Sequence, residues 1–488
     1  MSWRQIFLFF VLVIIFKMEL QAQIVHLSLD KIVNELCLES VVSKVERLSY
    51  ENKLLEYENY KKEFLPSISF NLSPLNFNRS LVKLQQANDG QYNYVEDYSN
   101  NSSAGLSIQQ KIGFTGGVFS LNTNLSYLNE FSQKRQSFSA SLFSLGYSQK
   151  LFGGRRNHRL ENEIEEKKCK EASLHYYTKI AEIQQYALEC FMDVFLCFLE
   201  KGLSKSNLES SKTLIHIATV EYENRILTEV DYKQIKLQMI NNEYAYKNAS
   251  KKYGEAMQKL ITYLGVSYEI NSVQIDTPEF ELPFEINLSE VMYYVEKNNL
   301  VALQLDINKL EMEKSLLLTK LNNGFNADIN FNYGMNQYAS HLKDIYHEPS
   351  SQQGFSIGLS IPIFQWGIGK NKLTIAKNEY RSSILRFEQE YNEFVDDIKN
   401  KVNAYNQNVG LWFVAKQSYE LAQDQYQLMV HQFSMNKSSV NSLITAQQEQ
   451  ALAMQKYYHA IRDVWVSYYE LRKLTLYDFL KNRELFKT

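Results

Sequence analysis

Residues 355–367, Phe-Ser-Ile-Gly-Leu-Ser-Ile-Pro-Ile-Phe-Gln-Trp-Gly, alternate apolar side chains with small or polar ones and end at a glycine. A period of two indicates a β-strand with one apolar face, and the glycine indicates a hinge after it. Residues 143–154, in the first half of the chain, have the same pattern. An earlier alternating strand precedes each stretch, at 64–71 and at 325–332. The chain therefore contains two copies of one structural unit.

Each hinge leads into a long helical pattern in which apolar residues recur every seven positions. In the second copy this row contains Ile384, Tyr391, Ile398, Tyr405, Trp412, Tyr419, Tyr426 and Phe433. Both patterns reverse near Arg225 and near Asn436, about 70 residues after the hinge, so at ~1.5 Å per residue each leg reaches roughly 100 Å. A sustained seven-residue repeat predicts helices that coil left-handed around their neighbours.

The N-terminus has the pattern of a secretion signal. Apolar residues 5–16 follow Arg4 and precede Leu20-Gln21-Ala22, which is typical of a cleavage site. We expect the mature chain to begin at Gln23. The alternative is a retained anchor, but the apolar run is shorter than the ~20 residues that span a membrane. Because no later stretch has 18 consecutive apolar residues, a membrane-spanning part would have to be built from strands.

The composition supports neither nucleic-acid binding nor catalysis. Lys and Arg number 52 against 55 Asp and Glu, so the charge is balanced. The sequence has no phosphate-binding loop, zinc-protease motif or nucleophile elbow. The four cysteines lack metal spacing, and His341 with His347 is better explained as a solvated loop pair. We therefore expect no enzyme activity, cofactor or metal.

The strands leave two architectures open. Their apolar face could pack in a water-soluble sheet of a secreted or periplasmic helical scaffold, or it could face lipid in a barrel with a polar lumen. The secretion signal favours the barrel, with exposed loops at 85–103 and 337–353. Further strand-like segments at 104–112 and 118–127 could form either a longer hairpin above the membrane or an added barrel hairpin.

The two helix reversals contain matched residues at intervals of three. The first has Tyr222, Arg225, Thr228 and Asp231, and the second has Phe433, Asn436, Ser439 and Ser442. An ordinary turn between helices with a Thr or Ser N-cap explains each one locally. Their recurrence at matched positions suggests a second use.

Several segments in this order resemble the TolC family of outer membrane efflux and secretion channels. They are Leu288-Ser289-Glu290-Val291 followed by Asn298-Asn299, the strand end at 359–364 before its hinge, the aromatic-x-x-Gly-x-x-Ser/Thr tips, and residues 440–447. The tip glycine of the family pattern is replaced by Arg225 and by Asn436. The acidic position of the tip is kept at Asp231 only.

The resemblance implies an α+β membrane protein in which a homotrimer forms the channel. Each subunit would give about four strands to a 12-stranded outer membrane β-barrel and four helical strands to a coiled-coil tunnel in the periplasm. The channel would be a passive exit duct for small molecules or polypeptides, driven by an inner membrane pump through a periplasmic adaptor.

The resemblance also implies roles for individual residues. The pore constriction would contain Asp231, Ser442 and Thr445, and the adaptor would dock on Tyr222, Arg225, Thr228, Phe433, Asn436 and Ser439. The hinges between barrel and helices would be Gly153, Gly154, Pro362, Gly367 and Gly369. The expected segments are a signal peptide at 1–22, helices at 23–64, strands with a surface loop at 65–153, a helical hairpin at 154–265, an equatorial linker at 266–287, helices at 288–324, strands at 325–367, a second helical hairpin at 368–478 and a polar tail at 479–488.

Overall fold

The computed structural model describes residues 25–85, 92–132, 134–268, 273–278, 283–298, 300–435 and 437–485. The predicted signal peptide and Asn436 lie outside these residues. The chain divides into two compact units. The helical unit comprises Met1–Tyr50, Ser173–Leu300 and Asn392–Thr488, and the sheet unit comprises Glu51–Ala172 and Val301–Tyr391.

Long helices and an antiparallel sheet account for most of the described chain. The helices are α1 (Leu29–Asn34), α2 (Val41–Lys62), α3 (Gly154–Glu223), α4 (Glu229–Leu264), α5 (Leu288–Lys297), α6 (Leu300–Asn322), α7 (Ile368–Ser434) and α8 (Val440–Thr475). The strands are β1 (Val25–Leu27), β2 (Ser67–Ser73), β3 (Phe77–Gln85), β4 (Tyr92–Ile112), β5 (Gly117–Glu130), β6 (Arg135–Lys150), β7 (Val273–Ile275), β8 (Asn326–Ala339), β9 (Ser350–Ser360), β10 (Tyr477–Asp478) and β11 (Arg483–Glu484). Among the described helices, none is apolar enough over a sufficient length to cross a membrane.

The core of the helical unit follows the predicted seven-residue repeat. Its α7 row alternates steps of four and three through Ile398, Val402, Tyr405, Val409 and Trp412, each at most 6% exposed. The α8 row does the same through Ile461, Val464, Tyr468 and Leu471. Both rows pack with apolar residues of α3 and α4 in one core cluster. The spacing of 3.5 residues keeps each row on one side of its helix, as a coiled-coil seam requires.

The ends of the helical unit are packed more closely than the sequence suggested. In the predicted linker, β7 pairs in parallel with β1. The predicted polar tail is wrong in its first half, because Phe479 is 6% exposed and β11 pairs with β10. The Tyr468 hydroxyl donates to Asp478 at 2.7 Å and accepts from the Leu480 amide at 3.0 Å. A buried carboxylate and its hydrogen bonds therefore hold this segment on the core.

The sheet unit contains one antiparallel sheet of seven strands in the described chain. The order is β2-β4-β5-β6-β8-β9, and β3 pairs with the outer half of β4. The four strands expected from the two copies are present as β2, β6, β8 and β9. The segments whose place the sequence left open form β4 and β5, between β2 and β6.

The predicted loops are shorter than expected. In the first, residues 92–103 belong to β4, and residues 86–91 lie outside the described chain. In the second, residues 337–339 end β8 and residues 350–353 begin β9. The remaining residues, 340–349, include one short 3-10 turn at Leu342–Asp344.

The strand register places most apolar residues of the sheet on one face. One paired row runs through Ile68, Ile108, Leu121, Leu145 and Tyr333. The adjacent row of Ser69, Ser107, Asn122, Ser144 and Gly334 is small and polar. Side chains alternate between faces along a strand, so these rows lie on opposite faces. The apolar face is solvent-accessible at its edge, where Ile68, Phe70 and Leu72 are 69%, 61% and 59% exposed.

Candidate functional site

The turn between α3 and α4 is closed by a tight hydrogen-bonding pattern. The Ile226 amide donates to the Glu221 carbonyl at 2.8 Å, and the Arg225 amide donates to Tyr222 at 3.0 Å. Together these two bonds form a Schellman C-cap, in which the residue after the helix has a left-handed backbone. Arg225 occupies that position with φ +60°. This geometry explains why the family pattern has glycine at this site.

The turn between α7 and α8 has the equivalent bond, from the Lys437 amide to the Gln432 carbonyl at 2.9 Å. By its place in the chain, Asn436 corresponds to Arg225.

Both return helices begin with the predicted hydroxyl caps. Thr228 Oγ1 accepts from the Asp231 amide at 3.2 Å and donates to the Asp231 carboxylate at 2.6 Å. Ser439 Oγ accepts from the Ser442 amide at 3.2 Å, and the two hydroxyls lie 2.9 Å apart. The Asp231 carboxylate therefore lies at a helix N-terminus, where its negative charge is favourable. Ser442 at the same position brings no charge.

Other charged and aromatic groups surround the first turn. Tyr222 stacks on Tyr232 with ring centroids 4.8 Å apart. Glu229 and Lys233 form an exposed ion pair at 2.7 Å. The hydrogen bond from Lys233 lowers the pKa of the Glu229 carboxyl. The charge of Glu229 is thus largely balanced within its own helix.

Two hydrogen bonds between amide side chains connect the two hairpins, and the sequence did not reveal them. Gln234 Nε2 donates to Asn441 Oδ1 at 2.6 Å, which joins α4 to α8. Gln447 Nε2 donates to Asn207 Oδ1 at 2.7 Å, which joins α8 to α3. The only sequence signal was an amide three residues after Asp231 and another next to Ser442. We refer to the two turns with these bridges as the tip site.

The tip site contains most of the predicted constriction and docking residues. Tyr222, Arg225, Thr228 and Asp231 share the first turn, and Ser439, Ser442 and Thr445 lie at or just after the second. The Phe433 backbone lies in the last turn of α7, and Asn436 lies outside the described residues. Two apolar residues that no sequence pattern indicated, Ile226 and Val230, are 74% and 73% exposed. An exposed apolar pair at a helix turn is suited to protein contacts.

The predicted hinges lie in the sheet unit. Gly153 has φ +75°, and a Cβ there would collide with the Leu321 side chain. Gly154 begins α3. Gly367 has φ +80° after Trp366 at φ +50°. Pro362 lies in the irregular segment between β9 and α7, and a Cβ at Gly369 would lie 2.7 Å from Gln365 Oε1. Glycine is thus required at Gly153 and Gly367 by the left-handed backbone, and at Gly153 also by the lack of space for a side chain.

Residues 322–475 match the family described as outer membrane efflux protein. The putative multidrug resistance outer membrane protein MdtQ of Escherichia coli K12 is 36% identical over 74 residues, which are 15% of this chain. The match spans 16% of the length of that relative.

Solved outer membrane channels have the same fold over most of the chain. The outer-membrane channel OprN aligns with a TM-score of 0.65 and 12% identity, covering 92% of this chain and 89% of its own. The CmeC outer membrane channel of Campylobacter jejuni aligns with a TM-score of 0.64 and 12% identity, covering 92% of this chain and 85% of its own. The outer membrane protein VceC of Vibrio cholerae aligns with a TM-score of 0.64 and 9% identity, covering 92% of this chain and 95% of its own. These alignments confirm the α+β fold expected from the sequence, with long helices and an antiparallel sheet, whereas the sheet has six strand positions where about four were expected.

The left-handed backbone at Arg225 generates a prediction about the tip site. Arg225→Gly removes the Cβ clash of this conformation and should stabilise the turn by roughly 1 kcal/mol. Hydrogen exchange at the Ile226 and Leu227 amides should therefore slow several-fold. Arg225→Ala is the matched control, because it removes the charge and keeps the Cβ. Equal exchange in the two variants would contradict the assignment of strain to Arg225.

Proposed function

We propose that this protein is the outer membrane channel of a tripartite efflux pump or a type I secretion system. It is a passive exit duct for small molecules or polypeptides, with its helical part in the periplasm. An inner membrane pump supplies the driving force through a periplasmic adaptor. The observation that carries this proposal is the sheet, which has one continuous apolar face and one continuous polar face.

The two faces of the sheet suit lipid on one side and water on the other. At the β9 edge, Phe355, Ile357 and Leu359 are 66%, 54% and 63% exposed, a costly arrangement for a face in water. The opposite face has small residues beside polar ones. A Cβ at Gly358 would lie 2.6 Å from the Asp328 carboxylate, and one at Gly354 would collide with Asn332. Glycine at these positions leaves room for polar side chains along a water-filled lumen.

Exposed rows on the helices support a homotrimer. On α7, Val414, Leu421 and Leu428 are spaced by seven and are 65%, 71% and 63% exposed. On α4, Val230, Leu237 and Tyr244 have the same spacing and are 73%, 58% and 74% exposed. Coiled-coil rows of this kind are stable only when a neighbouring helix covers them. In the proposed trimer, the exposed α7 row of one copy packs against the exposed α4 row of the next.

The tip site is where the proposed channel narrows and where the adaptor docks. Asp231, Ser442 and Thr445 form the constriction, and the docking surface comprises Tyr222, Arg225, Thr228, Phe433, Asn436 and Ser439. With one acidic residue per subunit, the constriction attracts cations only weakly. The amide bridges Gln234–Asn441 and Gln447–Asn207 hold the two hairpins together without charge. The glycines at the hinges give the strands their turn into the helices.

Ion conduction tests the channel function and the constriction separately. Protein extracted from outer membranes should give discrete conductance steps in a mixed-lipid planar bilayer. Asp231→Asn should lower the cation-to-anion permeability ratio about two-fold, because it removes the acidic charge at the constriction. Glu229→Gln is the control, since its charge is already balanced by Lys233, and it should leave the ratio unchanged.

Each failure in this experiment has a different meaning. Absence of conductance, together with recovery of the protein in the soluble fraction, would overturn the channel and favour a secreted helical scaffold. Conductance with equal permeability ratios in both variants would overturn only the constriction at Asp231.

Assembly tests the exposed α7 row. Leu421→Asp places a charge in the proposed seam and should shift the detergent-solubilised protein from trimer to monomer. Gln427→Asp introduces the same side chain on an exposed position of α7 outside the row, and should leave the trimer intact. Mass measurement of the detergent complex by light scattering gives the result. Unchanged trimer mass for Leu421→Asp would contradict the proposed seam.

A further inference from the structure

The pairing of β4 and β5 makes them part of the sheet itself. Ser67–Ser73 pairs with Ser103–Gln109 of β4 along its whole length. β4 pairs with β5 from Ser99 to Ile112, and β5 pairs with β6 from Val118 to Glu130. β2 and β6 are therefore separated by two complete strands. The sheet therefore has six strand positions from edge to edge. β2 and β3 share the first position, because both pair with the same edge of β4, β2 along Ser103–Gln109 and β3 along Tyr92–Asn100.

The turn that joins β4 to β5 is fixed at the hinge end of the sheet. Gly116 has φ +73°, and a Cβ there would lie 3.0 Å from the Gly154 Cα. The Tyr147 hydroxyl donates to Thr115 Oγ1 at 3.2 Å. The Arg155 guanidinium lies 4.8 Å from the centroid of the Phe114 ring. Contacts to both β6 and α3 anchor the turn, as expected for strands that are part of a wall.

The two outer edges of the sheet complement each other. Every residue of β2 and most residues of β9 are exposed. Open edges with apolar side chains are templates for pairing with another chain. All five steps from β2 to β9 are antiparallel, so these two strands run in opposite directions. The β9 edge of one copy can therefore join the β2 edge of the next and continue the antiparallel pattern.

We propose that three copies close an 18-stranded barrel through β9–β2 pairing, in place of the 12 strands that the resemblance implies. This inference rests on the proposed homotrimer. Barrel diameter grows roughly in proportion to strand number, so the bore is about half as wide again as that of 12 strands. Barrels of 16–18 strands leave an open aqueous channel. The sheet end is then wide, and selection among solutes falls to the tip site.

Cysteine pairs in the assembled protein distinguish the two barrels. In outer membranes oxidised with copper phenanthroline, Phe70→Cys with Leu106→Cys tests the β2–β4 pair. Leu121→Cys with Leu145→Cys tests the β5–β6 pair. Both should form disulfides within one subunit, because directly paired residues satisfy disulfide distances. Phe70→Cys with Leu145→Cys should not, since two strands separate these positions.

Closure is tested by linking neighbouring subunits. Ile68→Cys with Ile357→Cys, treated with a flexible bismaleimide, should give covalent dimers and trimers on denaturing gels. The single-cysteine variants are the controls for reaction with the native cysteines, all four of which are free.

The outcomes separate this inference from the proposed function. A disulfide between positions 70 and 145, without one between 70 and 106, would overturn the 18-stranded barrel and leave a conducting trimer in place. Intersubunit links that never form in a trimeric, conducting protein would overturn β9–β2 closure. A monomeric protein without conductance would overturn the proposed function itself, and the inference with it.

Discussion

The structure depends on one constraint, the register that keeps most apolar strand residues on the same face of the sheet. Because side chains alternate along a strand, a slip of one residue would move Ile68, Leu121 and their paired neighbours to the polar face. Two bulges, between Asn122 and Asn124 and between Ser141 and Phe143, shift the pairing locally. On the hinge side of these bulges, most apolar and polar residues stay on separate faces. A face this apolar and this exposed requires a cover, and under the proposed function lipid covers all six strand positions at once.

The long helices also separate apolar residues from polar ones, with a repeat of seven residues where the strands have a repeat of two. In the helical unit, one row of α7 is buried, as at Ile398 and Tyr405, and a second row, as at Leu421, is exposed and is the row that the proposed trimer would cover. At the tip site, neutral amides bridge the hairpins, and a hydroxyl caps each return helix. The helical unit is therefore held by apolar seams along its helices and by short polar contacts at its two turns.

The sequence predicted the elements whose periods are strong. Alternation identified β2, β6, β8 and β9, and the seven-residue rows identified the long helices. It missed the outer half of β4, where Ser99 and Asn100 are poor strand formers that owe their conformation to pairing with β3 on one side and β5 on the other. It could not place the amide bridges, because Gln234 and Asn441 are 207 positions apart. Arginine itself gave no sign of the left-handed backbone at position 225, and the only pointer to it was the glycine that the family pattern has there.

The most direct test of a sheet with water on one face and lipid on the other compares two adjacent positions on β9, Ser356 on the polar face and Ile357 on the apolar face. Ser356→Cys and Ile357→Cys are each treated in intact outer membranes with a charged, water-soluble maleimide and with a lipid-soluble one. If the polar face meets water and the apolar face meets lipid, the charged reagent modifies the thiol at position 356 and only the lipid-soluble reagent modifies the thiol at position 357. Equal modification of both positions by the charged reagent would mean that both faces meet water, and would contradict this arrangement.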